Sequence, residues 1–142
     1  MDNYVGVNDV LDKRYRLDVL IGSGGFGAVY KGVDLQQNST VAVKVLHAHL
    51  VTSSSMVKRF QVEGISGFRV KHPNAVKVLA TGTTASGVPY LVMEYLEGVT
   101  LDVELRLHGI LPFSRIVPIL NQVCDVLIET HAQGIIHRVM SV

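Results

Sequence analysis

Apolar and polar residues alternate from Tyr15 to Leu20 (YRLDVL), which predicts a strand with one buried face. The glycine-rich run IGSGGFGAV interrupts it, and alternation resumes in GAVYKGVDL. Gln36–Ser39 (QQNS) is a turn cluster, and TVAVKVL beyond it is rich in β-branched residues. Three strands with no helix between them predict antiparallel hairpins. After the polar connector HAHLVTSSS, Ser55 is placed to cap a helix through MVKRFQVEGISGF. Gly64 and Gly67 within that helix each cost about 1 kcal/mol relative to alanine. HPNAVKVLATGTTASGVPYLVMEYL supplies two more strands around a glycine-containing turn. A short helix near Leu101–Leu107 follows, then a longer one from Ser114 to His131 with Pro118 in its first turn, where a missing N–H matters least.

The last helix is unusually apolar. Ile116, Val117, Ile119, Leu120, Val123, Val126, Leu127 and Ile128 leave little of its circumference polar, so it expects protein on most sides. Nothing after residue 131 is long enough to provide that cover. The segment 114–131 is therefore the candidate surface for a protein partner, or an aggregation liability.

Composition narrows the classes. The chain has 142 residues, 48% hydrophobic and 18% charged, with net charge +1, which suits one ordinary domain with a core. Lys and Arg are dispersed, so nucleic acid is not an expected partner. The single cysteine, Cys124, excludes an internal disulfide and reads as a buried small hydrophobe. The N-terminus lacks a signal-peptide pattern and no run reaches about 18 apolar residues, so a soluble cytoplasmic protein without a membrane segment is expected. His47 and His49 share a side if their strand continues; with no third ligand they read as a solvated pair, and no metal site is expected.

Gly22, Gly24 and Gly27 satisfy G-x-G-x-x-G, a pattern shared by two unrelated nucleotide folds. A dinucleotide-binding fold needs a helix to begin within the glycines. Here Gly27 leads into the alternating Ala28–Val33, so a strand–turn–strand flap over a nucleotide is the better reading, with a plain hairpin turn as the alternative. Lys44 ends the apolar strand VAVK, where an unpaired ammonium would be costly to bury. Glu63 on the following helix is the available acid; a solvent-facing lysine on an edge strand is the competing reading.

IGSGGFGAVYKG, VAVKVL, RFQVEG, HPNAVKV, YLVMEYLEG and GIIHR, in this order, resemble the eukaryotic-type (Hanks-type) protein kinase family, in the wording of bacterial serine/threonine kinases, over about Tyr15 to Arg138. The resemblance implies an α+β fold: a kinase N-lobe with a five-stranded antiparallel sheet and one helix (15–96) after a polar lead-in (1–14), then the first helices of an incomplete C-lobe (97–142). It implies that Gly22, Gly24 and Gly27 cover the ATP phosphates, that Ile21, Val29 and Ala42 roof the adenine, and that Lys44 holds the α and β phosphates with Glu63 holding Lys44. Met93 matches the gatekeeper, the Glu94 carbonyl and Leu96 N–H the adenine edge, and Thr100 a ribose-side position. His72 and His137 match structural histidines. Gly67 stands where the family carries a large apolar side chain, so the helix holding Glu63 is expected to be loosely held, with Phe68 beside it to fill the space.

Two residues after His137, where the family has its general-base aspartate, stands Val139. Losing a positioned base typically costs about 10²–10⁴-fold. The family's loop asparagine, DFG aspartate and activation segment do not occur in these residues, so Mg²⁺ is expected only in an intact kinase, ATP binding should be weak, and no catalytic set is complete. The expectation is a catalytically inactive kinase fragment; the alternative is a pseudokinase-like binding or regulatory module using the helix 114–131. Val139–Val142 can be encoded GTG ATG TCA GTN, which contains GAT GTC AGT (Asp-Val-Ser) in a shifted frame, so a frameshift would account for the lost aspartate.

Overall fold

The computed structural model describes residues 4–136, which fall into two units. The first comprises residues 4–69 with Val76–Leu96; the second comprises Val70–Ala75 with residues 97–136.

The first unit is built on an antiparallel sheet of β1 (Val10–Leu11), β2 (Tyr15–Ser23), β3 (Gly27–Asp34), β4 (Ser39–Leu46), β5 (Val78–Thr83) and β6 (Pro89–Glu94), in the order β1-β2-β3-β4-β6-β5. Alternation sorts its residues between two faces. Tyr15, Leu17, Ala28, Tyr30, Val41, Val43, Val45, Tyr90 and Val92 form one buried cluster. The residues between them, including Val29, Ala42, Lys44, Leu91 and Met93, belong to the other face.

The sheet has six strands where the sequence pattern predicts five. Val10 and Leu11 pair with Arg16 and Tyr15, and Leu11 is buried in the first cluster with Val5 packed against it. A two-residue strand is too short to show alternation, and its reversal uses Asp12 and Lys13 at positive φ rather than glycine. The Tyr30 hydroxyl donates to the Val5 carbonyl (3.3 Å) and the Tyr90 hydroxyl to the Asp12 carboxylate, so the lead-in is sewn to the core.

Helix α1 (Ser54–Arg69) seats Phe60 between Leu46 and Leu91 on the second face. Its first bonds run from the Met56 and Val57 N–H groups to the Ser53 carbonyl, so Ser53, not Ser55, precedes the first turn. The loose helix expected from Gly67 is not what forms. A Cβ at Gly67 would collide with the Val78 side chain, and one at Gly64 would lie 2.9 Å from Thr81 Cγ2. The glycines let α1 settle directly on β5, so Val78 occupies the space a larger side chain would fill, while Phe68 stays 41% exposed.

In the second unit, α2 (Leu101–His108) is capped by Thr100 Oγ1, which accepts from the Val103 N–H at 3.3 Å, and is closed by Gly109 at φ 71°. Helix α3 (Phe113–Ala132) starts one residue earlier than the pattern predicts. Pro118 therefore lies in the second turn, and the Ser114 carbonyl loses its i+4 donor. The Arg115 guanidinium on α3 bonds the Glu104 carboxylate and holds it below the usual range. Leu120 and Ile128 are 56% and 69% exposed, and Cys124, expected to be buried, is also exposed. Among the described residues no helix is long and apolar enough to cross a membrane.

Candidate functional site

The register of the central strands builds the candidate site in rows. Val29 pairs with Lys44 and Lys44 with Leu91; Lys31 pairs with Ala42 and Ala42 with Met93. Val29, Ala42, Lys44 and Met93 therefore share one face across three adjacent strands. Ile21 occupies the bulge between the Leu20 and Gly22 pairs of β2 and is 48% exposed. Because β4 is flanked by β3 and β6, Lys44 is not on an edge strand, which removes the solvent-lysine alternative.

Lys44 Nζ lies 2.6 Å from Glu63 Oε1 and 5.9 Å from the Phe60 ring centroid. Phe60 and Glu63 are three residues apart on α1, hence on neighbouring positions of one helix face, so the seat that buries Phe60 also aims Glu63. The Glu63 side chain is 54% exposed, and such a pair stabilises the fold by at most about 1 kcal/mol. Its consequence is geometric: the ammonium is held in place on the face that carries Val29, Ala42 and Met93.

The glycine hairpin closes with the Gly24 N–H donating to the Gly27 carbonyl (2.9 Å), and β3 begins at Gly27. No helix starts among the glycines, so the dinucleotide-binding alternative fails. The three motif glycines differ in what they do. A Cβ at Gly27 would collide with the Val45 carbonyl of β4, so close strand approach requires glycine there. A Cβ at Gly22 or Gly24 would meet nothing within 4 Å. Protein packing does not demand glycine at either position, and both leave bare backbone facing open space. The Gly25 and Phe26 N–H groups have no protein acceptor among the described residues.

The loop is nonetheless tethered, by contacts that the sequence pattern does not announce. His47 Nε2 lies 2.7 Å from the Gly24 carbonyl, and the His47 N–H donates to the Phe26 carbonyl at 3.0 Å. The Arg59 guanidinium sits 4.8 Å over the Phe26 ring. The only signals in sequence are spacings: His47 is three residues after Lys44, and Arg59 is one helical turn before Glu63. β4 ends at Leu46, so His47 and His49 do not share a strand; their rings stack at 5.5 Å across the start of the 3₁₀ turn Ala48–Leu50. Among the described residues no three His, Cys, Asp or Glu side chains cluster as a metal site.

At the other end of the face, Met93 pairs with both Ala42 and Val78 and packs against the Phe60 cluster. The Glu94 carboxylate accepts from the Lys77 N–H (2.8 Å), and the Lys31 ammonium lies 4.7 Å over the Tyr95 ring. Leu96 is 60% exposed. A cavity of about 260 Å³ opens between α1 and the β5–β6 pair, lined by Phe60, Gly64, Thr81 and Tyr90 among others, and contains none of the residues of the candidate site. Thr100 is committed to capping α2, and His72 Nδ1 accepts from the Asn74 N–H at 3.1 Å within its own turn. His137, Arg138 and Val139 lie outside the described residues.

The family model described as the protein kinase domain matches residues 15–140. Serine/threonine-protein kinase pkn3 of Myxococcus xanthus is 36% identical over 137 residues, 96% of this chain and 25% of that protein. Serine/threonine-protein kinase Pkn1 of the same organism is 41% identical over 124 residues, 87% of this chain and 18% of that protein. The chain thus spans a quarter or less of these curated relatives' length. The crystal structure of the Mycobacterium tuberculosis PknI kinase domain superposes with a TM-score of 0.78 at 22% identity, covering 96% of this chain and 55% of that one, and shares its fold.

Proposed function

The chain belongs to the protein kinase family, and we propose that its first unit is the ATP-holding lobe of a bacterial-type serine/threonine kinase. The observation that carries this reading is the Lys44–Glu63 pair at 2.6 Å on the same unit as a glycine hairpin whose Gly22 and Gly24 are not required by packing. In this reading Lys44 receives the α and β phosphates, the loop N–H groups cover them, and Ile21, Val29 and Ala42 roof the adenine. Met93 bounds the pocket, and the Glu94 carbonyl and Leu96 N–H meet the adenine edge. The test is titration of the full chain with a fluorescent ATP analogue. Lys44→Met is expected to abolish the signal; unchanged affinity would remove Lys44 from the site.

Phosphoryl transfer is not expected from these 142 residues. Val139, at the position where the family has its general-base aspartate, can neither accept a proton nor orient a hydroxyl. Incubation with γ-labelled ATP, Mg²⁺ and a generic acceptor protein is expected to give background incorporation; turnover above background lost in Lys44→Met would overturn this. A second reading, a non-catalytic binding module, is favoured by the exposed Leu120 and Ile128 on α3. It requires the full chain to form a soluble complex of fixed stoichiometry with a defined partner, measured by light scattering, whereas an orphaned fragment aggregates.

A further inference from the structure

The glycine loop makes three contacts outside its own hairpin, and they converge from two directions. The His47 ring meets the Gly24 carbonyl at 2.7 Å and the His47 backbone N–H meets the Phe26 carbonyl at 3.0 Å. From α1, the Arg59 guanidinium lies over the Phe26 ring at 4.8 Å. A carbonyl oxygen only accepts, so the Gly24 contact requires the proton on His47 Nε2. The two carbonyls drawn toward His47 bracket Gly25, whose N–H, like that of Phe26, has no protein acceptor among the described residues. The Gly24 carbonyl shares a peptide plane with the Gly25 N–H, and the peptide carrying the Phe26 N–H lies between that plane and the plane of the Phe26 carbonyl, so holding both carbonyls orients both free donors. Arg59 and Glu63 are four apart on α1, so one face of one helix carries both the loop tether and the Lys44 partner.

We propose that His47 is a positioning residue for the glycine loop: its Nε2–H holds the Gly24 carbonyl so that the Gly25 and Phe26 N–H groups stay presented as a pair of anion-directed donors. Arg59, through Phe26, ties the same loop to α1, so the position of the loop and that of the Lys44–Glu63 pair are set by a common element. The role assigned to those donors rests on the ATP-holding reading; the tether itself does not.

The test uses the full chain. Without nucleotide, ¹⁵N spectra of the labelled histidines should show His47 with its proton on Nε2, and a neutral ring protonated on Nδ1 would overturn the proposal with no variant needed. In amide exchange, His47→Ala should speed Gly24 exchange by about 2- to 10-fold, the loss of one hydrogen bond, while the Val43 amide in the core is unchanged. His47→Gln, whose side-chain amide can reach the same carbonyl, should restore protection. Gly24 exchange unaltered in His47→Ala, or equally fast in His47→Gln, overturns the proposal. Arg59→Ala provides a second variant if His47→Ala does not fold, and should release the loop without moving the His47 signature. With a fluorescent ATP analogue and adenosine as ligands, His47→Ala should weaken the triphosphate by a similar factor and leave adenosine unchanged. Failure of the wild-type chain to bind either ligand would sink the ATP-holding reading while the exchange result still decides the role of His47.

Discussion

Lys44 Nζ and Glu63 Oε1 stand 2.6 Å apart, joining the middle of the sheet to α1 at a point where α1 is already anchored by Phe60. The pair adds little to stability because its carboxylate is half exposed, so its removal should separate binding from folding. Glu63→Ala is expected to change the unfolding free energy by less than about 1 kcal/mol. It should also weaken a fluorescent ATP analogue measurably, leaving adenosine binding intact. A loss of adenosine binding in parallel would mean that the pair holds the whole face and not the ammonium alone.

Gly67 is packed against Val78 with no room for a side chain. Gly67→Leu, which introduces the residue type usual in the family, should overpack this contact by about 1–3 kcal/mol, outweighing the helix-propensity gain of about 1 kcal/mol. Adding Val78→Ala should recover part of the loss. Urea denaturation of the single and double variants checks the pair; a Gly67→Leu chain as stable as wild type would contradict the close seat of α1 on β5.

Asp34 accepts from Arg14 Nε (3.0 Å) and Nη2 (2.7 Å) and from the Gln36 and Gln37 N–H groups. The Arg14 hydrogen bonds, aided by the two turn amides, hold its carboxyl below the usual range against the opposing effect of burial. A depressed folded-state value means that the native chain resists protonation. The stabilisation is therefore fully present above the unfolded value of about 3.9, and is lost as pH falls through the lower folded value. Urea midpoints from neutral to acid pH should show this fall, and Asp34→Asn should flatten it while lowering stability at neutral pH.

Burial first, and the Asp12 carboxylate second, push the Tyr90 phenol well above its ordinary range. The native state then keeps a proton that the unfolded chain releases near pH 10, so stability declines as pH rises beyond about 10. Phenolate absorbance should reveal a tyrosine that ionises only with unfolding, absent in Tyr90→Phe. That variant should lose about 1 kcal/mol for the hydrogen bond that pins the lead-in.

Much of the sheet is legible in the sequence because burying one face of a strand imposes a period of two. The hairpin identity of the glycine loop is legible for the same reason: Ala28–Val33 alternates and so cannot begin a helix. What escapes is local and short. Val10–Leu11 pairs over two residues, fewer than one period needs to show itself. The seat of α1 is misjudged from sequence because an absent side chain at Gly67 looks like a void, whereas in space Val78 fills it. The His47–Gly24 contact depends on how β4 ends and the chain turns, which no periodicity records. Cys124 misleads because its neighbours are apolar on a helix whose apolar surface remains partly exposed.

The strand order carries a consequence for how the chain is made. β6 lies between β4 and β5, although it is the last of the six to be synthesised. As the polypeptide emerges, β1 to β4 can zip up as successive hairpins, but β5 has no neighbour to pair with and Lys44 sits on an open edge. Leu91, which completes both the Lys44 row and the seat of Phe60, arrives only with β6. Until then the outer side of β4 is an unpaired template of Val41, Val43 and Val45 backbone, the kind of edge that captures stray strands. A nascent chain halted before Pro89 would expose that edge, and chaperone contact during translation should peak there and decline once Glu94 has cleared the ribosome.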